Sequence, residues 1–212
     1  DDVLATAFRA FFNSDKPILY PDITYSFYPV WCELLKIPYK TKKVDENFVI
    51  NIEDFKEPNG GVVIPNPNAP TSLGVGEKFI RELIESNQDS IVIIDEAYAD
   101  FGRYSCVELV KEYDNLVVTQ TFSKSRSLAG MRVGMAFASA ELISYMQAVK
   151  DSYNSYPLDQ IAIETAVASL SDEDYFKATV EKVKTTRDKT AEKMREMGFN
   201  VLDSETNFLF AQ

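Results

Sequence analysis

Short runs of consecutive apolar residues alternate with longer stretches of helical period through the first two thirds of the chain. That is the pattern of βαβ units and a largely parallel sheet. Asp1 or Asp2 can cap a helix whose apolar face is Leu4, Ala7, Phe8, Phe11 and Phe12, and Ile18 to Tyr20 reads as the following strand. Later strands are expected at Val62 to Ile64, Ile91 to Asp95, Leu116 to Gln120 and Met135 to Ala138, with helices near Phe27 to Leu35, Glu77 to Ser86 and Val107 to Glu112.

From Glu141 the texture changes to long helical stretches: Leu142 to Val149, Gln160 to Leu170, and Tyr175 to Met197, the last rich in Lys and Glu at helical spacing. Gly198 is a helix-stop signal, and Phe199 to Leu202 and Phe208 to Ala211 read as two strands. The class is α/β. Residues 1–154 are expected to form a large domain with a mostly parallel central sheet and helices on both faces, and residues 155–212 the connecting helices and part of a smaller α+β domain.

Composition narrows the function. Of 212 residues, 45% are hydrophobic and 26% charged, an ordinary balance for a folded soluble chain. The 22 Lys and Arg against 33 Asp and Glu give a net charge of −11, which opposes any broad nucleic-acid surface. There is no His, so Ser-His-Asp and Cys-His nucleophile systems and all His-containing metal sites are excluded. Cys32 and Cys106, far apart, build neither a disulfide framework nor a four-cysteine zinc site, and the expected compartment is the cytoplasm. No apolar run approaches the roughly 20 residues of a membrane span. The chain opens Asp-Asp-Val-Leu, without Met or a basic leader, so a cut or processed start is expected.

Four strand ends carry candidate chemistry. Ile91 to Ile94 run into Asp95, Glu96, Ala97 and Tyr98, placing acids at the C-terminal end of a central strand, where open α/β sheets bind ligands. Acids there serve a cation or a ring nitrogen, or simply cap the next turn. The magnesium strand of a nucleotide hydrolase would need a Gly-rich loop ending in Gly-Lys-Ser or Gly-Lys-Thr, and none of the glycines sits in one.

Thr121, Ser123, Lys124 and Ser125 follow another strand, and Arg132 comes eight positions after Lys124. A hydroxyl-flanked Lys with a nearby Arg suits a Schiff-base amine beside an anion pocket, and equally an incidental Lys on a surface loop. Ile64 to Thr71 is a Pro-fixed loop presenting Asn66 and Asn68, either to a planar ligand or as a plain turn. Tyr25 follows the first strand, where an aromatic ring covers a flat ligand or packs in the core.

Together these motifs, with the Leu128 to Arg132 run and Tyr153-Asn154 through Gln160, resemble the fold-type I pyridoxal-phosphate aminotransferases, in particular the histidinol-phosphate aminotransferase-like branch. The resemblance spans nearly the whole chain. It implies pyridoxal 5'-phosphate as cofactor, with Lys124 as the Schiff-base residue and the base and acid of a 1,3-proton shift. Asp95 would pair with the pyridine nitrogen, Tyr98 would hydrogen-bond the phenolic oxygen, and Tyr25 would stack on the ring. Thr121, Ser123 and Arg132 would hold the phosphate, with backbone N–H groups at the helix start near Asp1. No metal is implied.

The family loop commonly reads Asn-Pro-Thr-Gly, whereas here Ala69 precedes Pro70 and Ser72 follows Thr71, so Asn68 is the nearest substitute for the amide ligand. The Gly and small residue that usually precede the position of Asp1, and the later Arg that clamps the substrate carboxylate, are not in this sequence. The expectation is a cofactor domain plus part of the small domain, inactive by itself. The implied reaction moves an amino group between an amino acid or histidinol phosphate and a 2-oxo acid such as 2-oxoglutarate. A homodimer is also implied, with apolar surface on the aromatic stretch Tyr20 to Trp31. Rival readings are a decarboxylase of a phosphorylated amino acid and a non-catalytic pyridoxal-phosphate-binding module, such as a regulator's ligand domain.

Overall fold

The aliphatic runs become neighbouring strands because each is buried on both faces. In the computed structural model, which describes residues 1–212, the strands are β1 (Ile18–Pro21), β2 (Tyr39–Lys42), β3 (Gly61–Pro65), β4 (Val92–Asp95), β5 (Leu116–Thr121) and β6 (Gly134–Phe137). They form one sheet in the order β2-β1-β3-β4-β5-β6, parallel except for β6, which runs antiparallel to β5.

Successive strand residues point to opposite faces, and the two faces build two cores. On one, Ile18, Tyr20, Val63, Ile93 and Val117 pack with residues of α1 (Asp2–Phe11), α2 (Phe27–Leu35) and α4 (Ala140–Tyr153), among them Phe8, Tyr28, Trp31 and Leu142. On the other, Leu19, Val62, Ile64, Val92, Ile94, Leu116 and Val118 pack against Ile80, Leu83 and Ile84 of α3 (Glu77–Glu85) and against Leu109. Burying one such side chain fully contributes about 1.5–3 kcal/mol, so these layers fix the sheet rigidly.

Two further helices follow. Asp159 accepts a hydrogen bond from the Ala162 N–H (2.7 Å) to start α5 (Gln160–Ser171), and Asp172 accepts one from the Tyr175 N–H (3.2 Å) to start α6 (Glu173–Glu196). The Arg187 guanidinium of α6 donates to the Phe101 carbonyl (3.2 Å) and the Thr206 carbonyl (2.9 Å), tying this helix to the segment after β4 and to the last residues of the chain. No helix is long and apolar enough to cross a membrane.

Two expectations are corrected, and one strand carries no apolar signature in the sequence. The stretch Tyr39–Lys42 is a strand although its residues are mostly exposed, because it pairs in register with β1 at the sheet edge. Val107–Lys111 is a short 3-10 helix. The two strands expected near the end of the chain reduce to a single antiparallel bridge, Val201 to Ala211, because no other strand of the described chain pairs with either segment.

Candidate active site

The carboxyl ends of β3, β4 and β5 lie side by side, with Pro65 in register with Asp95 and Asp95 with Thr119. Outside them, against the first turn of α1, is a cavity of about 270 Å³. Asp1, Tyr25, Asp95, Tyr98, Thr121, Ser123, Lys124 and Arg132, gathered from five separate stretches of chain, all line it.

Strand alternation decides which acid reaches the cavity. Ile93 faces the α1/α2 core and so does Asp95; Ile94 faces the α3 core and so does Glu96. Glu96 is buried and fully engaged, accepting from Ser105 Oγ (2.6 Å), the Cys106 N–H (2.6 Å) and Gln120 Nε2 (2.9 Å). It caps the following turn. Asp95, 7% exposed, opens to the cavity and accepts from Tyr28 Oη at 2.8 Å on Oδ2. Its Oδ1 has only long contacts, from the Ala97 N–H (3.3 Å) and Thr119 Oγ1 (3.5 Å). Burial holds the Asp95 carboxyl above the ordinary carboxylate range, and the Tyr28 hydrogen bond is the strongest influence pulling it back down.

Lys124 sits on the loop after β5 with its Nζ 5.2 Å from the centroid of the Tyr98 ring. The next residue anchors the loop: buried Ser125 donates through Oγ to Asp100. On the other side the Arg126 guanidinium donates to the Ser169 carbonyl (2.8 Å) and lies 4.0 Å from the Phe176 ring centroid. Tyr98 is braced from behind by Phe208, edge to face at 5.1 Å.

A second corner of the cavity is built from α1 and the segment before β6. Asp1 occupies the N-cap position but makes no side-chain cap bond; its carboxylate instead accepts from Tyr25 Oη (2.7 Å) and lies 3.6 Å from the Arg132 guanidinium. The first turn of α1, whose residues Asp1 to Leu4 line the cavity, therefore presents N–H groups that no side chain satisfies. Arg132 adopts left-handed backbone (φ 58°) and donates to the Ala129 carbonyl (2.8 Å). The Thr121 hydroxyl accepts from the Ser123 N–H (3.1 Å), which fixes the turn carrying both hydroxyls.

Asn68 is the exception. It does not line the cavity, and its amide is spent inside the loop: Nδ2 donates to the Ile23 carbonyl (2.9 Å) and Thr71 Oγ1 (2.9 Å), and Oδ1 accepts from Thr24 Oγ1 (3.2 Å). The loop's cavity residues are Pro67 and Ala69. Asn66 is equally engaged, with the Val75 backbone. Sequence reasoning overlooked Tyr28 altogether. Its place in an aromatic run reads as core, which it also is, and no local spacing points to a partner 67 positions away.

A buried carboxylate, an amine, two hydroxyls, a guanidinium and a free helix start facing one cavity suit a ligand with an anionic tail, an electrophilic carbonyl and a basic ring nitrogen.

Comparison with known proteins is consistent in kind. The profile of the family described as aminotransferase class I and II matches residues 1–212. Histidinol-phosphate aminotransferase of Acinetobacter baumannii (strain SDF) is 54% identical over 211 residues, covering 100% of this chain and 58% of that protein. The enzyme of that name from Lactococcus lactis subsp. cremoris (strain MG1363) is 51% identical over 210 residues, covering 99% of this chain and 59% of that protein. The chain thus spans less than two thirds of the length of these relatives.

Among solved structures, histidinol-phosphate aminotransferase from Sinorhizobium meliloti in complex with pyridoxal-5'-phosphate superposes with a TM-score of 0.87 at 21% identity, covering 98% of this chain and 58% of that one. Aspartate aminotransferase from Thermus thermophilus with maleate gives a TM-score of 0.86 at 18% identity, covering 98% of this chain and 58% of that one. At such identities the likeness is one of fold.

Proposed function

The chain belongs to the aminotransferase class I and II family, and from that premise we propose that the protein is a pyridoxal-phosphate-dependent transaminase. It moves an amino group between histidinol phosphate, or another amino acid or amino-alcohol phosphate, and a 2-oxo acid such as 2-oxoglutarate. The observation that carries this reading is the meeting of a buried carboxylate, Asp95, and an amine, Lys124, on one cavity with a free helix start. The choice of donor is supported by the relatives at 51–54% identity; the fold by itself is shared with an aspartate enzyme.

When bound, the cofactor supplies an electron sink for the carbanion left when the donor loses its α-proton. The chain's own residues do the rest. Lys124 Nζ would hold the cofactor carbonyl at rest and, once the donor's amine has displaced it, would carry the proton between the two carbons that exchange it. Asp95, ionised, holds a proton on the ring nitrogen. Thr121, Ser123, Arg132 and the first-turn N–H groups of α1 after Asp1 bind the phosphate. The Tyr98 hydroxyl binds the phenolic oxygen and Tyr25 covers the ring face. Asn68 is left out of the set, since its polar atoms are spent.

In this reading residues 1–154 hold the cofactor and 155–212 belong to the smaller domain. The enzyme works in the cytoplasm as a homodimer. Exposed Phe27, Val30 and Leu34 on α2, and Ile161, Val167 and Leu170 on α5, support self-association. Tyr20, Tyr28 and Trp31 of the aromatic stretch are buried and contribute nothing to it.

The test is transamination by the full-length protein loaded with pyridoxal 5'-phosphate, histidinol phosphate as donor and 2-oxoglutarate as acceptor. Glutamate formation is expected. Release of carbon dioxide from a phosphorylated amino acid, without glutamate, would establish the decarboxylase reading instead.

A further inference from the structure

Tyr28 is fully enclosed, yet it carries a hydroxyl. Its ring is held by four others: Phe8 stacked at 6.0 Å between centroids, Tyr20 and Tyr25 edge-on at 5.7 Å each, and Trp31 tilted at 6.3 Å. A ring so packed has one orientation, and that orientation sends Oη to Asp95 Oδ2 at 2.8 Å. The packing does not by itself demand such a bond. Tyr20, in the same cluster and equally buried, has a hydroxyl that finds no hydrogen-bond partner.

We propose that Tyr28 is a positioning residue for Asp95: it spends Oδ2 on the protein, leaves Oδ1 as the acceptor offered to the cavity, and keeps the carboxylate charged. The proposal rests on the reading that Asp95 serves the cofactor's ring nitrogen. Three physical points carry it. The bond is the short one among those Asp95 makes, and those on Oδ1 are too long to hold that oxygen firmly. A buried carboxylate without a donor takes up a proton, and a neutral acid cannot stabilise a charged ring nitrogen. A hydroxyl fixed to a rigid helix and a packed ring holds the carboxylate without reorganising.

The α-amino group of Asp1 also favours the charged form of Asp95 through space, after Tyr28 and the Ala97 N–H; the other groups around Asp95 are differently occupied. Tyr25, three residues before Tyr28, gives its hydroxyl to Asp1. Thr119, from β5, reaches Asp95 only at 3.5 Å. Lys124 and Tyr98 contact one another. Arg132 lies beside Asp1. Tyr28 is the only side chain at ordinary hydrogen-bond length from Asp95.

The experiment uses four forms of the protein: wild type, Tyr28→Phe, Asp95→Asn and the double variant. The carboxyl midpoint of Asp95 is first followed by carbon NMR without cofactor; then the affinity for pyridoxal 5'-phosphate is measured for all four. Loss of a hydrogen bond to a charged group should raise the Asp95 midpoint in Tyr28→Phe by about one to two pH units. It should also weaken cofactor binding about 10-fold or more, with no further loss when Tyr28→Phe is added to Asp95→Asn. An unmoved midpoint, or equal losses in both backgrounds, would overturn the proposal. Should Tyr28→Phe fail to fold, 3-fluorotyrosine at position 28 carries the test: its more acidic hydroxyl is a stronger donor and must lower the midpoint, and a midpoint equal to wild type counts against. Failure of the cofactor reading looks different: wild type that takes up no pyridoxal 5'-phosphate, or Asp95→Asn that binds it as well as wild type.

Discussion

The amine of Lys124 lies 5.2 Å above the ring of Tyr98, so that the loops leaving two adjacent strands, β5 and β4, meet at one point. The ring face of Tyr98 thus lies under the amine, and the proposed function gives its hydroxyl a second, separable job on the cofactor's phenolic oxygen.

Tyr98→Phe keeps the first and removes the second. It should leave the fold intact and weaken retention of pyridoxal 5'-phosphate by about 10-fold, the cost of one hydrogen bond to a charged oxygen. Tyr98→Ala should lose more, because the Lys124 contact and the Phe208 brace go with the ring. Equilibrium dialysis of the two variants checks the order, and equal losses would count against the separate hydroxyl role.

Asp95→Asn should trade function for stability. Burial raises the Asp95 carboxyl above its ordinary value, so in the folded chain the charge is unfavourable. The stability contribution of the protonated form is fully present below the unfolded value and is lost as pH rises through the raised folded value. Without cofactor, Asp95→Asn should therefore melt higher than wild type at pH 7, at about 2–4 °C for each kcal/mol. The difference should close as pH falls through the carboxyl midpoint. In the full-length protein with cofactor, turnover should drop by about 10²–10³, the scale of losing one preorganised electrostatic partner. Calorimetry across pH and steady-state rates check both halves.

Arg187 joins three parts of the molecule through two carbonyls. Arg187→Ala leaves the Phe101 and Thr206 carbonyls without that donor and should cost about 1–3 kcal/mol. Hydrogen exchange should then quicken at residues 99–101 and 204–208 while the core strands stay protected. Uniform acceleration would mean that the tie is not local.

The apolar residues exposed on α5 predict self-association. Ile161→Glu combined with Val167→Glu should shift the protein from dimer to monomer in sedimentation at micromolar concentration. A wild type that sediments as a monomer contradicts the homodimer, and an unchanged dimer places the contact elsewhere.

Much of this was legible in the sequence because burial on both faces writes continuous aliphatic runs. Val62 to Ile64 and Leu116 to Val118 are fully buried, and each lies within an observed strand. Strand period also carried chemistry. Alternation from Ile93 and Ile94 sends Asp95 and Glu96 to opposite faces, but the choice of Asp95 as the cavity acid came from the family resemblance. What escaped was set by long-range partners. Tyr39 to Lys42 lacks an apolar signature because an edge strand faces solvent. Asn68 is a suitable residue type on a suitable loop, but the fold turns its amide toward Ile23 and Thr71. The bond from Tyr28 to Asp95 joins two residues that both look like ordinary core and strand end until the sheet brings them together.

The central claim is that Lys124 is the residue that takes the cofactor. Protein loaded with pyridoxal 5'-phosphate, reduced with borohydride and digested, should carry the phosphopyridoxyl group on the peptide containing Lys124, and Lys124→Ala should carry none. Label on another lysine in the wild type, or undiminished label in Lys124→Ala, would contradict the account.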